Sequence, residues 1–400
     1  MQILVFNCGS SSLSYKLFTA EDPEALSIVG SGKAHRVGVT GTEPAFIEHR
    51  FKTEQVRQVT QIPNHLQAAK LIFDFLHERK LPVEAIGHRF VHGGMLFDCT
   101  TQLTPKTLAT LERCLPLAPL HNPNSMTVIR AALEAYPGVP EYATFDTAFH
   151  ATLPPEASTY ALPYAIAEHY GFRKYGFHGL SYQSVTESAA RYLNRNLVGL
   201  KVIACHLGTG GASAAAIRDG QSIETTMGYS PLPGLIMSTR SGDLDPTVVL
   251  ELCAQHGYTP TQVTRMLNHE SGLLGISGFS SDIRDILRRR DEQGDARAEL
   301  AFAAYSHRLK LALGSLIAVL GGLDVLIFTD DVGLKVPEVR AAACAGMDWC
   351  GIRLDPERNE AAHGEAIAEI GADRVRVLVV PNDEEGIIAA EGLRLLQKTL

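Results

Sequence analysis

Two short hairpin patterns of one kind, half a chain apart, constrain this sequence most. In the first, apolar Ile3 to Phe6 runs into the bend Asn7-Cys8-Gly9-Ser10-Ser11-Ser12, and Leu13 to Phe18 then alternates like a strand. In the second, Val202 to Cys205 runs into His206-Leu207-Gly208-Thr209-Gly210-Gly211-Ala212-Ser213, and Ala214 to Ile217 follows. Bends rich in Ser and Gly let backbone N–H groups close on an anion. The repeat points to a duplicated α/β domain with one phosphate-gripping bend in each half. Taken alone, each pattern reads more readily as an ordinary hairpin turn.

A chain of 400 residues is too long for one ordinary core, so two domains are expected. Further strands are predicted over 85–90, 141–145 and 375–380. Helices are predicted over 67–79, 105–115, 124–136, 246–256, 260–268, 296–320 and 384–398. Alternating strands and helices predict mixed or parallel sheets covered by helices. The longest uncharged apolar run, Leu311 to Leu323, is too short to span a bilayer and predicts a buried helix. The charge run from Ile283 to Glu292 predicts a solvated helix face. Leu326-Ile327-Phe328-Thr329 predicts a buried strand, and Asp330-Asp331-Val332-Gly333-Leu334-Lys335 an acidic loop at its end.

Bulk properties exclude several classes. Hydrophobic content of 45% and charged content of 20% describe a folded chain. The net charge of −8, with no basic block interleaved with aromatics, argues against nucleic-acid binding. The first residues lack a basic region before the apolar strand, so no signal peptide is expected. No membrane partner is expected either. Seven cysteines, an odd number without a C-x-x-C, predict reduced thiols in a cytoplasmic protein rather than disulfides or a zinc site. There is no G-x-x-x-x-G-K-[ST], no G-x-G-x-x-G after a first strand, no H-E-x-x-H and no G-x-S-x-G.

Five segments put charged or imidazole groups into apolar or glycine-rich settings. They are Arg89 in GHRFVHGG, His121 in LAPLHNP, Asp146 in TFDTAFH, His178 in KYGFHGLSY, and Arg240 in MSTRSGDLDP. An Asp directly after an apolar strand sits at the carboxyl edge of a sheet, where α/β ligands bind. Singly, each also reads as a surface Arg, a packing His or a turn Asp. Together, two arginines, two histidines, Ser/Gly bends and a few carboxylates are the parts of phosphoryl transfer.

NCGSSSLSYKLF, GHRFVHGG, APLHNPNS, FDTAFH, YGFHGLSY, HLGTGGAS, TRSGDLDP, SGLLGISGFSSDIRD and PNDEEG, in that order, resemble the acetate kinase family of short-chain carboxylate kinases. The resemblance spans almost the whole chain. It implies the duplicated α/β fold of actin, Hsp70 and sugar kinases, which is ribonuclease H-like, with two domains around a central cleft. The first domain would be 1–147, completed by a C-terminal helix over 385–400. The second would be 148–384 and would carry a homodimer interface. It implies Mg²⁺ or Mn²⁺ and phosphoryl transfer between acetate and a phosphate donor through acetyl phosphate.

The same resemblance implies residue roles. Arg89 and Arg240 would clamp the transferring phosphoryl group, and His178 would hydrogen-bond its equatorial oxygens, with His121 nearby. Asp146 would orient substrate or metal. Asn7, Ser10 and Ser12, with Gly208, Thr209, Gly210 and Gly211, would hold phosphate. Asn7 and Glu384 would sit around the metal, with adjacent Glu385 as the alternative. Val91, Leu120, Phe177 and Pro231 would wall a pocket for the substrate methyl.

Departures from the family pattern bear on the phosphate partner. Most members have Lys at Ser14, Asn at Thr209, and Thr and His at Leu180 and Tyr182. Most have a glycine pair at Asp330 and Asp331, and Glu-Asn at Leu334-Lys335. The glycine pair lets a nucleotide lie against the backbone. Side chains fill that space, and carboxylates repel a polyphosphate. HLGTGG, GFHGLSY and FTD followed by the lone Gly333 resemble the diphosphate-dependent branch of the family. The expected reaction is therefore acetyl phosphate + phosphate ⇌ acetate + diphosphate. Asp282 and Arg284 match positions that line the nucleotide in the ATP enzymes, so ATP-linked acetate or propionate kinase is the alternative. A catalytically silent regulatory paralogue is a third reading, disfavoured by the joint presence of Arg89, Asp146, His178 and Arg240.

Overall fold

The structure, a computed structural model, describes residues 1–39, 41 and 43–398. Of the C-terminal helix expected over 385–400, residues 399 and 400 lie outside the described residues. The chain forms two compact units, Met1–Phe149 with Asp383–Leu400, and His150–Asn382.

The first unit holds β1 (Gln2–Cys8), β2 (Ser12–Asp22), β3 (Ala25–His35), β4 (Phe46–Phe51), β5 (Glu54–Val59), β6 (Ala85–Phe90), β7 (Thr101–Gln102) and β8 (Glu141–Phe145). They form one sheet in the order β5-β4-β3-β2-β1-β6-β8-β7. β1 pairs antiparallel with β2 and parallel with β6, and β6 pairs parallel with β8. Ile3 to Phe6 are buried throughout, as expected of a central strand covered on both faces. Helices His65–Glu78 and Asn122–Ala135 pack Ile72, Phe73, Val128 and Ala132 against Leu4, Phe6 and Ile86. The helix Glu384–Gln397 packs on β1, β2 and β6. Tyr142 alternates away from Ile86 and meets Gly392 of that helix so closely that a Cβ there would overlap the Tyr142 ring.

β3, β4 and β5 fall where the sequence pattern predicts no element. Their side chains are largely half-exposed or exposed, so no strong two-residue alternation marks them.

The second unit holds β9 (Lys201–Leu207), β10 (Ala212–Arg218), β11 (Gln221–Thr225), β12 (Val325–Thr329), β13 (Ala368–Glu369) and β14 (Arg376–Val379). Their order is β11-β10-β9-β12-β14-β13. β9 pairs antiparallel with β10 and parallel with β12, which pairs parallel with β14. This repeats the β3-β2-β1-β6-β8 core of the first unit. The two hairpin bends also close alike, by Gly9 N–H to Ser12 C=O at 2.9 Å and Gly208 N–H to Gly211 C=O at 3.0 Å.

Three expectations are corrected here. The helix Ala296–Leu320 buries Leu309, Leu313, Leu316 and Leu320, but Leu311 and Val319 are 56% and 48% exposed. The apolar run is therefore a half-buried helix, because 3.6 residues per turn point one side of it away from the core. The helix Pro260–Arg265 passes into a π-helical turn over Met266–Glu270 instead of running to 268. The acidic corner after β12 is no loop: Asp330–Lys335 is a short helix, with Gly333 buried inside it against β12 and β9. The charged helix Ile283–Gln293 turns Ile283, Ile286 and Leu287 inward and leaves Arg284 and Arg288 exposed. Among the described residues no helix is long and apolar enough to cross a membrane.

Candidate active site

The expected residues fall into two clusters, one in each unit. In the first unit, the parallel strands β6 and β8 end side by side, which brings Arg89 to Asp146. Asp146 is 1% exposed, and the two groups meet in a fork, Arg89 Nε–H donating to Oδ1 at 2.8 Å and Nη2–H to Oδ2 at 2.6 Å. Arg89 Nη1–H donates to Asn7 Oδ1 at 2.9 Å and lies 3.5 Å from Glu384 Oε2. Burial alone would lower the Arg89 pKa, but Asp146, Glu384 and Glu385 outweigh it and hold the guanidinium above its ordinary range.

Asn7 projects from the end of β1 and donates to Glu384 Oε2 at 2.9 Å and Glu385 Oε1 at 3.2 Å. Lys16, which the motif reading passed over, completes the cluster. Its Nζ lies 2.6 Å from Asp383 and 3.3 Å from Glu385. The signal for it was alternation: in the β1–β2 register Asn7 faces Ser14, so Lys16 shares their side of the sheet.

Arg89 and Lys16 thus face Asp146, Asp383, Glu384 and Glu385, two cations against four carboxylates. The donors near Asn7 and Glu384 are oxygens, and the remaining formal charge suits one divalent cation. Among the described residues no group of three or more His, Cys, Asp and Glu is arranged to hold a metal unaided. Oxygen donors of this kind suit Mg²⁺, which commonly binds through one or two carboxylates and completes its shell with water and substrate phosphate.

Val91 is buried, whereas Leu120 is 55% exposed. His121 precedes the helix Asn122–Ala135, whose first turn carries Pro123. Asn122 is a second residue that motif reading missed. Fully buried, it donates to His92 C=O at 3.0 Å and Cys114 C=O at 2.7 Å, and its Oδ1 accepts from His92 N–H at 3.2 Å. It ties the Val91–His92 loop to the Leu120–His121 turn. Ser10 is exposed at the bend, and Ser12 opens β2.

In the second unit, His178 has φ +60° and begins the helix Gly179–Tyr192. Its Nδ1 is hydrogen-bonded to Ser213 Oγ at 2.8 Å, and Ser213 also meets the Tyr182 hydroxyl. The His178 ring stacks on His206, with centroids 3.9 Å apart. Arg240 donates to Pro231 C=O at 3.4 Å. It has no carboxylate partner among the described residues, and burial pushes its pKa down. A Cβ at Gly211 would stand 3.2 Å from Arg240 Nη1 and 3.6 Å from the His178 ring, so the glycine keeps the space between them open. Thr209 and Gly210 are exposed at the hairpin tip, and Phe177 is buried beside His178.

Asp330 and Asp331 are engaged within this unit. Asp330 Oδ2 lies 2.8 Å from His206 Nε2, against Gly208, where a Cβ would collide with it. Asp331 pairs with Lys335 at 3.0 Å and lies 3.6 Å from Arg284. Arg284 forks onto Asp282 through bonds of 2.8–3.2 Å, and this pair lowers the Asp282 pKa. Behind the short helix, buried Arg340 donates to Gly333 C=O and Leu334 C=O, each at 2.9 Å. It also donates to Asn359 Oδ1, Asn359 C=O and Ala362 C=O at 2.8, 2.6 and 3.0 Å. Burial pushes its pKa down to about 10. No motif announced Arg340.

Two sheets with one core order, each opening on a glycine-closed hairpin, define a kinase-type protein with the duplicated fold of actin, Hsp70 and sugar kinases. Residues 2–390 match the acetokinase family. Acetate kinase of Desulfitobacterium hafniense is 44% identical over the full length of both chains. The crystal structure of acetate kinase from Entamoeba histolytica superposes with a TM-score of 0.90 at 42% identity, covering 99% of this chain and 100% of that one. A propionate kinase from Francisella tularensis does so with a TM-score of 0.88 at 34% identity, covering 98% of each chain. The chain belongs to the acetokinase family and is a phosphotransferase of the acetate kinase type.

Proposed function

We propose that this chain catalyses acetyl phosphate + phosphate ⇌ acetate + diphosphate. The observation that carries this reading is the Asp330 carboxylate lying against Gly208 and His206, where the family's usual glycine would leave room. Asp331 adds a second carboxylate on the same short helix. A nucleotide polyphosphate meets both bulk and negative charge there. Inorganic phosphate asks for less space.

In the reaction the acyl C–O–P linkage breaks at phosphorus, acetate leaves as a carboxylate, and a phosphate oxygen forms the new P–O bond. No general base is needed for the reverse attack, since a simple carboxylate is ionised near neutral pH. The barrier is repulsion between anions. Arg240, half-buried and with no carboxylate partner among the described residues, neutralises the transferring group. His178, fixed by Ser213 and the His206 stack, hydrogen-bonds its equatorial oxygens, with His121 assisting. Arg89, oriented by Asp146, supplies a second permanent charge. Such arginines contribute ~10³–10⁵ in rate in other phosphoryl-transfer enzymes. Mg²⁺ or Mn²⁺, held by Asn7 and Glu384, would neutralise phosphate charge when bound. Val91, Leu120, Phe177 and Pro231 would limit the acyl chain, at roughly 1–3 kcal/mol per methylene.

The ATP-linked reaction is the second reading. It is favoured by the Asp282–Arg284 pair at the start of the helix Ile283–Gln293 and by relatives named simply acetate kinase. A second copy of this chain is the partner inferred for the helix Pro246–Ala254, which buries none of its residues and leaves Leu250 67% exposed. The seven free cysteines suit a reducing, cytoplasmic setting.

Purified protein with Mg²⁺, offered acetyl phosphate with phosphate or ADP and acetate with diphosphate or ATP, decides between the readings. Release of diphosphate with phosphate as acceptor is expected. Turnover with ADP or ATP alone overturns the proposal.

A further inference from the structure

We propose that Asp330 is a positioning residue for the histidine pair, whichever phosphate partner the enzyme uses. Four observations converge on it. Asp330 has φ +61°, a left-handed conformation that favours glycine, yet the position carries a side chain. Both of its oxygens are engaged, Oδ1 accepting Asp331 N–H at 2.8 Å and Oδ2 lying 2.8 Å from His206 Nε2. Gly208 leaves the room for that carboxylate. Finally, the contacts form a chain in which every donor is matched. Asn382 Nδ2–H donates to Ser181 Oγ at 3.2 Å, the Ser181 hydroxyl donates to His206 Nδ1 at 2.9 Å, and His206 Nε2–H donates to Asp330. The tautomer is assigned from this network.

The chain ends at a ring that does chemistry. His206 is buried and stacks on His178 at 3.9 Å with an interplanar angle of 21°. Without the carboxylate, His206 Nε2–H is a buried donor that has lost its acceptor, and the ring changes tautomer to donate from Nδ1 instead. His178 loses the surface it lies on. A residue kept in an unfavourable backbone conformation beside a catalytic ring exchanges stability for orientation.

The test compares Asp330→Gly with Asp330→Asn. Glycine relieves the backbone strain and removes the carboxylate. Asparagine tolerates the same φ and its amide oxygen still accepts from His206. Asp330→Gly should melt at or above the wild-type temperature while kcat falls about tenfold or more, with KM for acetyl phosphate within about twofold. Asp330→Asn should keep kcat within about threefold of wild type. Histidine ¹⁵N spectra, with His206 assigned from His206→Gln, should show Nε2–H in wild type and Asp330→Asn and a changed tautomer in Asp330→Gly. Wild-type kcat in Asp330→Gly, an unchanged His206 tautomer there, or a fall in kcat that tracks a fall in melting temperature overturns the proposal. The spectra need no turnover, so they stand even if the phosphate-partner reading fails.

Discussion

Arg89 and Asp146 form a forked ion pair across the ends of two parallel strands, with contacts of 2.8 and 2.6 Å. Its position at the carboxyl edge of the sheet makes it both a structural clamp and an oriented charge. Arg89→Ala should lower kcat by about 10³, as for other phosphoryl-transfer arginines. It should also cost about 3–5 kcal/mol, because a buried carboxylate loses its partner. Adding Asp146→Asn should recover much of that stability and none of the rate. Steady-state kinetics and urea unfolding of the single and double variants check this.

Arg240 behaves differently because among the described residues it has no carboxylate to leave behind, and burial already opposes its charge. Arg240→Ala should lower kcat by a similar factor, about 10³. Its unfolding free energy should stay within about 0.5 kcal/mol of wild type. A matching loss of stability would place Arg240 in the scaffold instead of the phosphoryl clamp.

Lys16 holds Asp383 and Glu385, and Lys16→Met should release both. The cluster then gains one net negative charge, so Mn²⁺ binding followed by electron paramagnetic resonance should tighten by about threefold to tenfold. Lys16→Arg should restore wild-type affinity. Burial opposes the Lys16 charge, but Glu385 and Asp383 outweigh it and raise its pKa. The stabilisation is therefore full below the unfolded lysine pKa of about 10.4 and lost as pH rises through the higher folded value. The stability gap between wild type and Lys16→Met should be constant from neutral pH to about pH 10 and shrink above it.

Arg340 satisfies five oxygen acceptors from a fully buried site. Lysine offers three donors from a single point and cannot reproduce that fork. Arg340→Lys should cost about 2–4 kcal/mol and Arg340→Met more. Limited proteolysis should then open the chain first around the short helix Asp330–Lys335, whose last carbonyls Arg340 holds.

The legible parts of this molecule were those with strong periodicity or short-range grammar. Ala85–Phe90, Glu141–Phe145 and Ala296–Leu320 were expected with the bounds they have. Arg89 and Asp146 stood out because each follows or ends an apolar strand. Lys16 and Asn122 did not, since their partners are hundreds or tens of residues away and their own surroundings look ordinary. Arg340 sits in PEVRAAAC, a sequence that reads as a plain amphipathic helix; its burial comes from carbonyls on two other elements. The Asp330 corner misled for a local reason. A glycine in the middle of six residues argues for a loop, but Gly333 is there to let the helix lie against β12 and β9.

The helix Glu384–Gln397 has a consequence for how the protein is made. It carries Glu384, and its Gly392 receives the ring of Tyr142, so the unit begun by Met1–Phe149 is finished by residues synthesised after the whole of the second unit. The second unit, continuous from His150 to Asn382, has all its residues available earlier. During vectorial synthesis the order of completion is therefore reversed, and Lys16, Asn7 and Arg89 meet Asp383, Glu384 and Glu385 only after the second unit has been synthesised.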